Sequence, residues 1–205
     1  MQICEMSDKE SLFLLSSLIE LGYFSKRLIY ERIRPVSEIF EMDFDTLKSR
    51  LKISEKQIKA ILSLKLKIDE LHDEYLSLDE RKIRFILPFE DDYPKKLLNI
   101  RDYPFGIFVK GNIPRSRKSV AIVGSRTASE YGLGMAKFIA KELTSKGVDI
   151  ISGMALGVDA KAHEGAVAGS GKTYAVLGTG VNVCYPESNF NLYNKLCEKD
   201  FGGVI

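Results

Sequence analysis

The 205-residue chain has no tryptophan, two histidines and three cysteines. Cys4, Cys184 and Cys197 are odd in number and show no short metal-type spacing, so no disulfide framework is expected and a reducing cytoplasm fits best. So few histidines and cysteines leave little material for a zinc site, and no metal or cofactor is expected. No apolar run approaches the roughly 20 residues that span a bilayer, which excludes a membrane protein. The opening MQICEMSDKESLFLL lacks a basic segment followed by an apolar stretch and a small-residue cleavage site, so no secretory signal is expected. An excess of either charge is also lacking, with a net value of only +2, so any nucleic-acid contact must rest on locally focused basic residues. A hydrophobic fraction of 45% against 28% charged excludes a disordered chain, and the length suffices for one large or two small cores.

Glycine is nearly absent from the first half. Gly22 stands alone up to residue 105, and the other fifteen glycines lie between Gly106 and Gly203. Charge divides less sharply, at −1 for residues 1–84 and +3 for residues 85–205. The first half predicts helices. Ser7 or Asp8 caps a helix through Leu12, Leu15, Leu18 and Ile19, and Leu28, Ile29 and Ile33 form a second, stopped by Pro35. Short helices follow at 37–41 and 43–51. Ser54 opens another, with Gln57 at the capping-box position and an apolar stripe from Ile58 to Leu71. The second half alternates. Strands are predicted at 83–87, 106–110, 119–124, 148–152 and 173–178, with helices at about 129–145, 156–168 and 187–197, and Gly202 to Ile205 begins a further strand. The expected class is α/β, a Rossmann-like doubly wound parallel sheet (residues 81–205) preceded by a small all-helical domain (residues 1–80).

Ligands of open α/β sheets bind beyond the carboxyl ends of the strands. Three loops are predicted to meet there: Gly124-Ser125-Arg126-Thr127, then Ser152 to Gly157, then Gly178-Thr179-Gly180 running on to Cys184-Tyr185-Pro186. Each offers glycine turns, backbone N–H groups and hydroxyls near a helix start, and Arg126 adds a guanidinium fork, a combination suited to phosphate. No dinucleotide fingerprint follows the first core strand, and no acidic residue ends the second, which excludes a nicotinamide enzyme. Gly169-Ser170-Gly171-Lys172-Thr173 imitates a P-loop but follows a helix and opens a strand, the reverse of that motif's order. Asp159, His163 and Glu164 share a helix, where a helix-start carboxylate and a hydrogen-bonded core histidine explain them better than a metal or acid–base site.

At these residues the sequence resembles a known family. VAIVGSRTASEYG, IISGMALGVDAKAHEGA and TYAVLGTGVNVCYPESNFNLYNKL, with the lead-in FEDDYPKKLLNIRDYPFGIFVKGNI, closely resemble the DNA-processing protein A (DprA, or Smf) family over roughly residues 88–205. The resemblance implies a single-stranded DNA-binding protein, not an enzyme, that protects incoming DNA in natural transformation and loads a RecA-type recombinase. It implies that Gly124, Ser125, Arg126 and Thr127 cradle a phosphate. Ser152, Gly153, Ala155 and Leu156 would form a second wall, and Gly178, Thr179 and Gly180 a third, with Tyr185 at the mouth. Arg115, Arg117 and Lys118 would extend a basic rim. It also implies further segments beyond Ile205 that complete the pocket and a homodimer surface, so the carboxy end reads as truncated. The amino-terminal helices resemble the family's sterile-alpha-motif or helix-hairpin-helix module. They lack its hairpin glycines, which favours structural support or a protein contact over phosphate binding by hairpin amides. Two alternatives remain open: a nucleotide-processing hydrolase of the related Rossmann class, whose diglycine and following glutamate are missing here, and a scaffold without DNA binding.

Overall fold

The computed structural model describes residues 6–115, 118–198 and 200–205. Contacts divide the chain into two compact units, residues 1–80 with 85–107 and residues 81–84 with 108–205.

The first unit is built on helices whose ends are set by short polar side chains. Ser7 accepts from the Glu10 N–H and starts α1 (Asp8–Ser16). The expected continuation through Leu18 and Ile19 does not form. The Ser16 and Ser17 hydroxyls donate back to the Leu12 and Leu14 carbonyls, the helix ends, and Ile19 is left 96% exposed. Next come α2 (Tyr23–Arg32), a 3₁₀ turn at Val36–Phe40 and α3 (Phe44–Leu51), capped by Asp43 through the Thr46 N–H. Lys52 takes a left-handed conformation with φ 48°. The expected capping box then forms: Ser54 accepts from the Gln57 N–H, and Gln57 accepts from the Ser54 N–H, at the head of α4 (Glu55–Leu64). A 3₁₀ turn at Lys65–Lys67 separates α4 from α5 (Ile68–Glu80), where the apolar stripe alone predicted one uninterrupted helix. Leu12, Leu15, Ile29, Ile33, Leu47, Ile58 and Ile61 are fully buried, each worth about 1.5–3 kcal/mol relative to exposure. Residues 85–107 join this core through Phe85, Leu87, Tyr93 and Phe105, and the Tyr93 hydroxyl donates to the Pro104 carbonyl at 2.5 Å.

The sheet comprises β1 (Ile83–Ile86), β2 (Ile107–Gly111), β3 (Ser119–Ala121), β4 (Asp149–Ser152), β5 (Thr173–Ala175) and β6 (Gly202–Val204) in the order β1-β2-β6-β5-β4-β3. The α/β class holds, and β3 through β6 run parallel in register, with Val120 opposite Ile150 and Ile150 opposite Thr173. β2 joins them antiparallel to β6, pairing Lys110 with Val204. Helices α6 (Glu130–Ser145), α7 (Val158–Ala168) and α8 (Phe190–Leu196) supply the crossovers. α6 and α7 pack through small side chains, with Ala140, Ala162 and Ala166 around Ile150. Gly165 permits the approach, because a Cβ there would lie 2.2 Å from the Lys137 carbonyl oxygen. His163 is fully buried. Thr173 Oγ1 donates to the Ile150 carbonyl at 3.0 Å, so the ring must donate to Thr173 through Nδ1, at 2.7 Å. Nε2 is left as a buried lone pair, and desolvation lowers the imidazole pKa to about 4. This histidine ties α7 to β5 and β4.

Candidate nucleic-acid interface

Because β3, β4 and β5 are parallel and in register, the segments after them leave from one edge of the sheet. After β3, Gly124, Ser125, Arg126 and Thr127 are exposed, and the Thr127 N–H folds back onto Ser125 Oγ at 3.1 Å. Ser129 then caps α6 through the Gly132 N–H. After β4, Ser152 is buried and its hydroxyl donates to the Ile122 carbonyl at 2.6 Å. Gly153 and Ala155 are half-buried, and Leu156 is exposed. After β5, Gly178, Thr179 and Gly180 are exposed, and Thr179 Oγ1 donates to the Val183 carbonyl at 3.3 Å. Tyr185 is 65% exposed.

The first two loops interlock. Gly157 adopts φ +79°, and a Cβ there would sit 2.3 Å from the Ser125 carbonyl oxygen and 2.7 Å from that of Arg126. The Val158 N–H donates to Ser125 O at 3.2 Å. The second and third loops are joined by the ladder bond from Val176 N to Ser152 O at 2.8 Å, and by Asn189 Nδ2 donating to Met154 O at 2.8 Å. Met154 itself is buried with φ 63°, a strained left-handed setting for a non-glycine residue. Tyr193 braces the third loop by donating its hydroxyl to the Val181 carbonyl. These interlocking contacts are not visible in the motifs; the only sequence cue is that glycine recurs where backbone meets backbone.

The available donors can be counted loop by loop. Among the described residues, the backbone N–H groups of Gly124, Ser125, Arg126, Gly178, Thr179 and Gly180 make no hydrogen bond, and the Arg126 guanidinium has no ion pair. The Gly153 N–H is different, since it donates to Asp159 Oδ2 at 3.1 Å. The buried Asp159 therefore occupies a donor that the sequence pattern assigns to an incoming anion, and fixes the second loop instead. An arrangement of free amides, hydroxyls and one arginine can hold anionic oxygens without reading the groups they carry.

The predicted rim lies elsewhere. Lys118 precedes β3, and its carbonyl accepts from the Asp149 N–H at 3.0 Å, which places it at the amino ends of the strands. Arg115 lines a cavity of about 550 Å³ on that same edge, with Asn112, Asp149, Lys172 and Tyr174. Burial and the neighbouring Asp149 carboxylate push the Tyr174 hydroxyl up to about 12, with Arg115 opposing them. Arg115 and Lys118 are thus not brought to the three loops, and Arg117 lies outside the described residues. The P-loop imitation Gly169–Thr173 runs from the end of α7 to the start of β5, also on the amino edge.

Residues 84–205 match the model of the DNA recombination-mediator protein A family. The chain belongs to this family. DNA recombination-mediator A relatives include Protein Smf of Borreliella burgdorferi, 37% identical over 141 residues, which are 68% of this chain and 44% of that protein. The DNA processing protein DprA of Streptococcus pneumoniae is 38% identical over 124 residues, 60% of this chain and 44% of that one. Its solved structure superposes with a TM-score of 0.70 at 28% identity, covering 97% of this chain and 66% of that chain. DNA processing protein A of Helicobacter pylori, solved for its single-stranded DNA binding mode, gives a TM-score of 0.52 at 25% identity over 60% of this chain and 54% of that one. The chain thus spans less than half the length of these two curated relatives. No helix among the described residues is long and apolar enough to cross a membrane.

Proposed function

We propose that the three-loop edge binds the sugar–phosphate backbone of single-stranded DNA, and that the chain serves DNA recombination as a binding protein and not as a catalyst. The observation that carries this reading is that the exposed Arg126 guanidinium is unpaired among the described residues, as are the backbone N–H groups of Gly124–Arg126 and Gly178–Gly180 after strands that end on the same edge. Phosphates held this way are gripped without sequence preference, and the exposed Tyr185 and Leu156 offer flat and apolar surface to bases. The Helicobacter relative's single-stranded DNA binding supports the choice of ligand.

Chemistry at the same edge argues against hydrolysis. A nucleophilic thiol needs a lowered pKa, whereas burial and the Glu187 carboxylate raise that of Cys184. His163 is enclosed in the core and committed to Thr173. Delivery of the bound strand to a RecA-type recombinase, protection of incoming DNA in the cytoplasm, and homodimer formation complete the proposal. The test is fluorescence anisotropy with a labelled oligo-thymidine at low and moderate salt. Arg126→Ala is expected to weaken binding by about 1–3 kcal/mol, the scale of a charge-assisted contact. Equal affinity of variant and parent at every salt concentration overturns the assignment.

A further inference from the structure

The helical unit carries a charge asymmetry that net charge conceals. Residues 43–67 hold seven basic and three acidic side chains, while the rest of residues 1–84 holds eight basic and thirteen acidic. The +4 segment is α3, its hairpin, α4 and the following 3₁₀ turn. Two of its cations are paired, Lys48 with Glu55 at 2.8 Å and Arg50 with Glu38 at 3.9 Å. A third, Lys65, donates to the Met42 carbonyl. Lys52, Lys56, Lys59 and Lys67 are exposed and have no hydrogen bond or ion pair among the described residues. Lys56, Lys59 and Ser63 recur at helical spacing along the exposed side of α4, opposite the buried Ile58, Ile61 and Leu64, and Lys67 follows in the 3₁₀ turn.

The hairpin amides are not the donors here. The Ser54 and Gln57 N–H groups are consumed by the capping box. Gln57 does more than cap, since its Nε2 donates to the Glu20 carbonyl and to Ser25 Oγ, both at 2.9 Å. That side chain fastens the head of α4 to the first turn of α2, where Phe24 is 61% exposed. Lys56 precedes Gln57 and Phe24 precedes Ser25, so an unpaired lysine and a largely exposed ring, which meets Tyr23 edge-on at 5.3 Å, belong to residues flanking the same hydrogen-bonded junction. Exposed cations on one helix face, with an exposed ring on the helix hydrogen-bonded to it, suit a flexible polyanion with stackable bases.

We infer that the α3–α4 hairpin with Phe24 is a second single-stranded nucleic-acid contact, in which Lys52, Lys56 and Lys59 meet phosphates and Phe24 stacks on a base. The inference rests on the nucleic-acid reading of the chain but not on Arg126 or the three loops. It is tested on the whole 205-residue chain with the triple variant Lys52→Asn, Lys56→Gln and Lys59→Gln, titrated with labelled oligo-thymidine beside the parent and Arg126→Ala. Asparagine suits the left-handed position and glutamine the helix, so the fold is retained, which circular dichroism checks. The triple variant is expected to bind about tenfold more weakly at low salt and to lose about 2 from the slope of log affinity against log salt, at about 0.7 per phosphate. A second readout is Phe24→Trp, the only tryptophan the protein would then contain, whose emission is expected to fall as the oligonucleotide binds. Binding and slope equal to the parent, with unquenched Phe24→Trp, overturn the second contact. If Arg126→Ala alone weakens binding, the hairpin inference fails and the three-loop reading stands. If the triple variant alone does, the reverse holds. Absence of binding by the parent overturns both.

Discussion

Acidification should destabilise this protein through one buried imidazole. Desolvation holds the His163 pKa at about 4 in the fold, against 6.5 for the free side chain. Between those values the unfolded chain takes up a proton that the folded chain excludes, so stability falls as pH drops through this window and is unaffected by this residue above it. The full loss, reached near pH 4, is about 3 kcal/mol, and the part expended between pH 7.5 and pH 5 is about 2 kcal/mol. Burial makes this large, since Nε2 has no partner and a proton there would meet no acceptor. The assay is urea unfolding at pH 7.5, 6 and 5 for the parent and for His163→Gln, which removes the titration. Surface carboxylates contribute equally to both, so the difference in pH slope isolates the histidine. Parallel slopes in the two proteins would refute the argument.

Gly165→Ala should force α6 from α7, because the new Cβ would approach the Lys137 carbonyl oxygen at 2.2 Å. A loss of about 1–3 kcal/mol in chemical unfolding is expected, as for overpacked cores. Ser54→Ala removes the cap and one half of the capping box of α4, with an expected cost of about 1 kcal/mol, read as a lower urea midpoint at unchanged m-value. Asp159→Asn keeps the acceptor for the Gly153 N–H but removes a negative charge of α7 beside the second loop. Oligo-thymidine affinity in the anisotropy assay should rise modestly or hold, and a fall would show that the carboxylate has a role beyond holding the loop.

Local signals read well where the physics is local. Helix starts at Ser7, Asp43, Ser54 and Ser129 follow from side chains that bond within three residues of themselves. The alternation of apolar strands and helices placed β3 to β6 because each strand and each crossover is self-contained in sequence. Breaks inside apolar stripes were less legible. Ser16 and Ser17 ended α1 by bonding backward, and the turn at Lys65–Lys67 divided α4 from α5 without a glycine or proline to mark it. The grouping of residues 85–107 with the helical unit was also hidden, since its anchors Phe85, Leu87, Tyr93 and Phe105 are scattered among polar residues and follow no period.

The sequence alone determined the α-helix starts and the core strands, the glycine-rich turns after those strands and the family, because propensity, capping and motif order are encoded residue by residue. Tertiary structure decided what those turns could offer. Parallel register brought three loops to one edge, carried Arg115 and Lys118 to the other, and let Asp159 take the Gly153 amide. It also left Lys56 and Lys59 of α4 exposed and unpaired among the described residues, because which charges remain free depends on partners distant in the chain. Hydrogen-bond donors are supplied by composition, but only the packed chain settles which of them are already spent.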